Sequence, residues 1–360
     1  MLSIAQLLNC SIAELLARLR AALHACDHRW RDAALEPLPD KGLAHHHVRL
    51  VGTGALARIP KQSQLGLGAD ANLAYQRACF ERACASGCTP RFFGYLPISS
   101  ELPRGALLVQ EIVGRSVLLP ADLQRMARTL ASVHALVLPP ASSRAPLLNA
   151  DDPLTALADE ITDQAAYVPT VSLDKEVALT LNRELARLRC LCNATARPER
   201  RLIAFDAHPG NFMVDGQGQA VLVDLEKCRY SYPGLDLAHA TLYTSTTWDV
   251  GTRASLTVRE LLGFYAAWSA AAGPLGTGAQ AWHLPLRRAM WLWSISWCVK
   301  WRALSGRSAT ATADGEDWAA EKSEAALIAH VRERVAHYLS ADVVGQVLEE
   351  FDALEKAWCV

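Results

Sequence analysis

The stretch LIAFDAHPGNFMVDGQGQAVLVDLE, residues 202–226, interrupts a chain whose second half is otherwise patterned as helix. NFMV and QAVLVD are short apolar runs on either side of the glycine turn DGQG, which is the pattern of a β-hairpin. Polar residues bracket it, FDAHPGN (205–211) before and DLE (224–226) after. A hairpin returns to where it began, so Asp206 and Asn211 from the entry loop and Asp224 from the exit are expected at one end. A single acid before a strand is ordinary turn chemistry. Three oxygen-bearing side chains delivered to one place make a candidate site.

Working outward, Leu123, Met126, Ala127, Leu130, Val133, His134 and Val137 recur at helical spacing between Pro120 and Pro139. A loop over 139–153 leads to two further helices ending near Cys192, and the chain beyond Leu256 reads as helix. The exceptions are a Gly/Pro stretch over 273–278 and a Ser/Thr/Gly stretch over 305–315. Towards the N-terminus, KGLAHHHVRLVGTGALARIPK (41–61) reads as short strands broken at Gly42, Gly52 and Gly54. A helix is expected from Ala71 to Ser86, stopped by Gly87 and Pro90, and ALLVQEIV (106–113) reads as a buried strand ending at Gly114. Ser11 and Glu14 fit a capping box for a first amphipathic helix.

With 36 basic and 37 acidic residues in 360 and no long run of either sign, nothing electrostatic favours a nucleic-acid partner. Glu14, Arg18 and Arg20 break the apolar N-terminus before it could span a bilayer or act as an export signal, so a cytoplasmic chain without a membrane anchor is expected. The ten cysteines then read as reduced thiols. Neither the Cys79, Cys84, Cys88 group nor the Cys190/Cys192 pair has the second ligand pair a zinc site needs, and the triple histidine 45–47 lacks partner acids.

Phosphoryl transfer needs a carboxylate to orient an attacking hydroxyl and oxygen ligands to hold Mg²⁺ against phosphates, which suits this triad. The residues resemble the aminoglycoside phosphotransferase and choline/ethanolamine kinase superfamily, relatives of protein kinases. Asp206 matches its catalytic aspartate, Asn211 and Asp224 its metal-binding pair, and Glu226 the acid that follows. HPGN (208–211) is typical of the phosphotransferase branch. Ala204 stands where the family usually has histidine, a departure that bears on the rigidity of the loop. The resemblance implies an α+β, bilobal, protein-kinase-like fold with a small β-rich lobe and a larger helical lobe carrying the inserted hairpin. Residues 1–115 would form the N-terminal helix and nucleotide-binding lobe, and 116–360 the helical lobe with catalytic loop and acceptor site.

The same resemblance implies ATP and Mg²⁺ as cofactors. It makes Gly42 part of a nucleotide-covering loop and Arg58 the phosphate-contacting base of the third strand, with Lys61 as a neighbouring alternative. Glu81 would be the helix acid paired with that base, although Gln76 sits closer to the expected place. Gln110, Glu111 and Ile112 would form the adenine hinge. His134 follows a family pattern, but a lone histidine on an apolar helix face reads as a satisfied core residue.

For the acceptor, Tyr230, Tyr232, Gly234 and Asp236 follow Asp224 at the spacing of choline and ethanolamine kinases, and Trp248 falls where those enzymes carry a pocket aromatic. Trp293, Trp297 and Trp301 share one helical face, and aromatic faces attract quaternary ammonium by roughly 0.5–2 kcal/mol. Tryptophans so spaced also pack cores. The expected activity is an ATP- and Mg²⁺-dependent small-molecule kinase, favouring a choline- or ethanolamine-like acceptor with Trp248, Trp293 and Trp297 as acceptor contacts. Alternatives are an aminoglycoside or other antibiotic phosphotransferase, and a nucleotide-binding scaffold without turnover.

Overall fold

The computed structural model describes residues 12–39, 44–305 and 325–358. An N-terminal five-stranded antiparallel sheet is followed by a mostly helical part, an α+β architecture. Helix α1 (Ile12–Ala25) precedes β1 (Leu35–Leu38), β2 (His45–Leu50) and β3 (Ala55–Pro60). Then come α2 (Ala69–Ala83), β4 (Phe92–Leu96) and β5 (Ala106–Gln110), and the sheet order is β1-β2-β3-β5-β4. The β2–β3 hairpin pairs Leu50 with Ala55 and His45 with Pro60, closed by Gly52 and Gly54 at φ +77° and +68°, a region costly for a side chain. Ser11 and Gly42 lie outside the described residues.

Strand β5 is buried on both faces. Ala106 and Leu108 pack with Val48, Leu50 and Ala57 beneath Leu19 and Leu23 of α1. Alternation sends Leu107 and Val109 the other way, into a core with Tyr75, Cys79 and Phe80 of α2. That second core continues without a break into Met126, Leu130, Phe212, Leu222 and Trp268. Helix α2 ends in a short 3₁₀ turn, Cys84–Ser86, capped by Gly87 at φ +69°.

The helical part comprises α3 (Leu123–His134), α4 (Pro153–Ala165), α5 (Lys175–Cys192), α6 (Pro233–Thr241) and α7 (Tyr243–Thr246). It continues with α8 (Val258–Ala272), α9 (Pro274–Ala279), α10 (His283–Leu304), α11 (Ala325–Tyr338) and α12 (Ala341–Trp358). Helix starts are chemically marked: Asp152 and Asp174 accept from the backbone N–H groups of Leu154 and Glu176, and Thr257 with Glu260 forms a capping box for α8. Helix α10 is central, and its Trp291, Ile295, Val299 and Trp301 share a core with α4, α11 and α12. Among the described residues no helix is long and apolar enough to cross a membrane.

The hairpin of β8 (Phe212–Asp215) and β9 (Ala220–Leu222) forms as expected, with β6 (Gly114–Ser116) added along β8. Residues 201–203 instead form β7 (Arg201–Ile203), which pairs with β10 (Arg229–Ser231) in a separate ladder. Asp206 therefore lies on the bridge between two small sheets. The Gly/Pro stretch 273–278 is mostly helix α9, because Pro274 suits a first turn and Gly276 lies close to Ser269 of α8, where a Cβ would clash. Much of the Ser/Thr/Gly stretch 305–315 lies outside the described residues.

Candidate active site

The loop after β7 bends at Phe205, whose φ of +61° is a left-handed conformation rare for a side chain of this bulk. Buried Asp236 of α6 holds the bend, accepting from the backbone N–H of Ala204 at 2.8 Å and of Phe205 at 2.7 Å. Trp268 Nε1–H donates to His134 Nδ1 at 3.0 Å, so the His134 proton sits on Nε2, 3.1 Å from Asp236 Oδ2. His134 is a satisfied core residue, as expected. The backbone amide of Ala204 takes part in this arrangement, and the loop is stiffened through Asp236.

Beyond the bend, Asp206 Oδ2 lies 2.9 Å from Lys227 Nζ, and Oδ1 lies 3.7 Å from His239 Nδ1. Burial works to raise the Asp206 carboxyl, but Lys227, His208 and His239 outweigh it, so it sits below its ordinary value. Burial drives His239 down to about 4, leaving it neutral near pH 7. Asn211 Nδ2 donates to the Asp206 carbonyl at 2.8 Å, which turns Oδ1 into its available acceptor. The Asn211 carbonyl accepts from Val223 N–H at 2.9 Å, closing the hairpin so that Asp224 emerges beside it.

Arg58 Nη2 donates to Asp224 Oδ1 at 2.7 Å across 166 residues of chain. Burial opposes ionisation of Asp224, but Arg58, with smaller help from His45, His47 and Lys227, holds the carboxyl well below its usual range. The buried Arg58 Nε has no hydrogen-bond partner among the described residues. Beside this pair Gln76 bridges His45 Nε2 at 3.0 Å and Glu226 Oε2 at 3.4 Å. Burial and the nearby Asp224 charge push Glu226 up to about 8, and its Oε1 has no hydrogen-bond partner among the described residues.

The other expected site residues make contacts of their own. Glu81 pairs with Arg77 on the exposed side of α2 at 2.7 Å, and Gln76 is the α2 residue that faces the site. Five residues on a helix turn through about 140° beyond a full circle, so the two cannot share a face. The Gln110 amide carbonyl accepts from Arg91, and the backbone N–H groups of Gln110 and Glu111 are taken by the Arg91 and Gly54 carbonyls. The Glu111 carboxylate binds Arg49 at 2.6 Å. Half-buried Ile112 lies two residues beyond the end of β5. Lys61 is buried just beyond β3.

The tryptophans fall into two groups. Trp248 stacks on Tyr338 and meets Trp297 edge-on, with centroids 6.2 and 6.0 Å apart. Trp293 instead packs edge-on against Phe205, donates Nε1–H to Glu160 at 2.7 Å, and carries Lys227 Nζ 6.0 Å from its ring centroid. Lys227 and His239 are the residues that sequence reasoning missed. A lysine directly after Asp-x-Glu was the available signal for the first, and nothing local marks the second.

The hairpin, its flanking acids and strands β2 to β5 fall within residues 39–274, which match the model of the phosphotransferase enzyme family, APH. The chain belongs to this family. None of the curated proteins compared with it matches in sequence. Among solved structures, this phosphotransferase-family chain is similar to a choline/ethanolamine kinase family protein from Mesorhizobium loti at 16% identity. The match covers 94% of this chain and 99% of that one, with a TM-score of 0.55. It is also similar to a Plasmodium vivax ethanolamine kinase, at 12% identity over 91% and 88% of the two chains, with a TM-score of 0.58. A GDP complex of aminoglycoside 2′-phosphotransferase-IIIa matches at 17% identity over 89% and 98%, with a TM-score of 0.53. At these identities the likeness is one of fold, and the fold is kinase-like. For a metal, an ionised Asp224 and the Asn211 Oδ1 offer the hard oxygen donors Mg²⁺ takes.

Proposed function

We propose that this chain transfers the terminal phosphoryl group of a Mg²⁺-bound nucleoside triphosphate, ATP, to a hydroxyl of a small molecule. The observation that carries this reading is the meeting of Asp206, Asn211 and Asp224 at one end of the β8–β9 hairpin, each held by its own partner. Asp206 would orient the acceptor hydroxyl and receive its proton as the oxygen attacks phosphorus and the bond to the diphosphate breaks. Asn211 and Asp224 would hold Mg²⁺, which neutralises charge on the phosphates when bound. The unpartnered Arg58 Nε supports a phosphate neighbour, since a guanidinium buried with an idle donor favours an added acceptor oxygen.

The nucleotide lobe would end at residue 115 and the acceptor lobe would begin at residue 116. The choline-kinase spacing of Tyr230, Tyr232 and Asp236 gives weak support for an amino-alcohol acceptor. Tyr230 is buried, the Tyr232 hydroxyl reaches Asp152, and Asp236 serves the backbone of the loop. The test is acceptor-dependent release of nucleoside diphosphate from ATP and from GTP, across amino alcohols, sugars, hydroxy acids and aminoglycosides. Release dependent on an acceptor and abolished in Asp206→Asn supports the reading. Nucleotide binding without turnover on any acceptor favours a scaffold instead.

A further inference from the structure

Lys227 lies between Asp206 and the ring of Trp293. Its ammonium is 2.9 Å from the carboxylate that would orient the hydroxyl, and it stands over Trp293, the tryptophan ring beside that carboxylate. Neither partner is free to turn away. Trp293 is fixed by its bond to Glu160, whose other oxygen takes Arg229 at 3.1 Å, and by edge contacts with Phe205 and His239. Lys227 is itself largely buried, and Asp206 and Glu226 raise its pKa against burial, so it stays charged.

The Asp206 carboxylate is already engaged by Lys227, and the other groups nearby add little negative charge for a bound cation. His239 is neutral, His208 accepts from the Gly210 amide, and the Glu160 carboxylate is shared by Trp293 and Arg229. Asp249, beside Gly210, accepts from Gly251 N–H through Oδ1. We propose that Lys227 is a specificity-determining residue that occupies the cation position on Trp293, restricting the site to hydroxyl acceptors that are uncharged or anionic near the reacting oxygen. The word acceptor rests on the proposed phosphoryl transfer, whereas occupancy of the ring face does not. In choline or ethanolamine the nitrogen is two carbons from the hydroxyl, so it would approach the Lys227 ammonium closely. Two like charges about 5 Å apart at an effective dielectric near 20 repel by on the order of a hundredfold in affinity, of which the Asp206 carboxylate paired with Lys227 returns a part.

The test compares choline with its uncharged isostere 3,3-dimethyl-1-butanol, in wild type, Lys227→Met and Lys227→Arg. The wild type is expected to use the isostere with at least tenfold higher kcat/KM than choline, and Lys227→Arg to keep that preference. In Lys227→Met, kcat falls for both compounds because Asp206 loses its partner, while the KM ratio of choline to isostere drops at least tenfold. A merely structural lysine would move both KM values together. A binding arm needs no turnover: with nucleotide present, tetramethylammonium should raise the Tm of Lys227→Met but not of wild type. Should Lys227→Met fail to fold, Lys227→Gln and the wild-type isostere comparison still decide. Wild type preferring choline, or protected by tetramethylammonium as well as the variant, overturns the proposal. Absence of transfer to every acceptor, with the tetramethylammonium contrast intact, would sink the phosphotransferase reading and leave the occupied ring face standing.

Discussion

Asp206 and Asp224 flank the two strands of one hairpin at its open end, and single substitutions separate the duties proposed for them. In Asp206→Asn, turnover should fall by roughly 10²–10⁴-fold, the usual worth of a positioned base. Nucleotide affinity should stay within about twofold, because this carboxylate faces Lys227 and in the proposed reaction serves the acceptor hydroxyl. Isothermal calorimetry alongside initial rates checks both halves. Asp224→Ala should do the reverse, abolishing the Mg²⁺-dependent part of nucleotide binding, and unchanged affinity with and without Mg²⁺ would remove it from the metal site. Residue identities here were legible from the spacing around a glycine turn. Their partners were not: the sequence reading chose Glu81 over Gln76, because helix phase relative to a distant sheet is invisible locally.

The loop, the helices behind it and the tryptophan helix form the next scale. Asp236→Ala removes the acceptor for the Ala204 and Phe205 amides and for the His134 ring at once, leaving three buried donors unpaired. A loss of about 3–5 kcal/mol is expected in urea melts, with activity failing together with stability as the strained Phe205 relaxes. Trp293→Leu should cost roughly 2–4 kcal/mol, since the ring is buried against Phe205 and its N–H is bonded to Glu160. Strands and helices were readable here because period-two and period-3.6 patterns are local. Whether a tryptophan lines a pocket or fills a core depends on which helix it meets, and α10 places Trp293 and Trp297 in different company one turn apart.

For the molecule as a whole, stability should rise with pH between about 4 and 6.5. Burial among Tyr265, Trp268 and Trp358 pushes His283 down to about 4. An unfolded histidine titrates near 6.5, so between these values the unfolded chain binds the extra proton and acid favours unfolding. At about 1.4 kcal/mol per pH unit, this one group destabilises by roughly 3 kcal/mol at pH 4 relative to pH 7. His239, also held near 4, acts in the same direction. Denaturant melts at several pH values should therefore show a shallower acid slope for His283→Gln than for wild type. Equal slopes would remove His283 from this role.

The amino-acid order alone determined the α+β division, the hairpin and the identities of Asp206, Asn211 and Asp224, because each is written within a few residues of chain. Tertiary structure alone decided how those side chains are held and charged. Arg58 reaches Asp224 across 166 residues, His134 reaches Asp236 across 102, and Trp268 reaches His134 across 134. Lys227 is close to Asp206 in sequence, yet only the separate β7–β10 ladder folds the two together and sets the ammonium over Trp293. Hydrogen bonds and charges act over a few ångströms of space, and no pattern along the chain records which distant segments the packed core brings within that range.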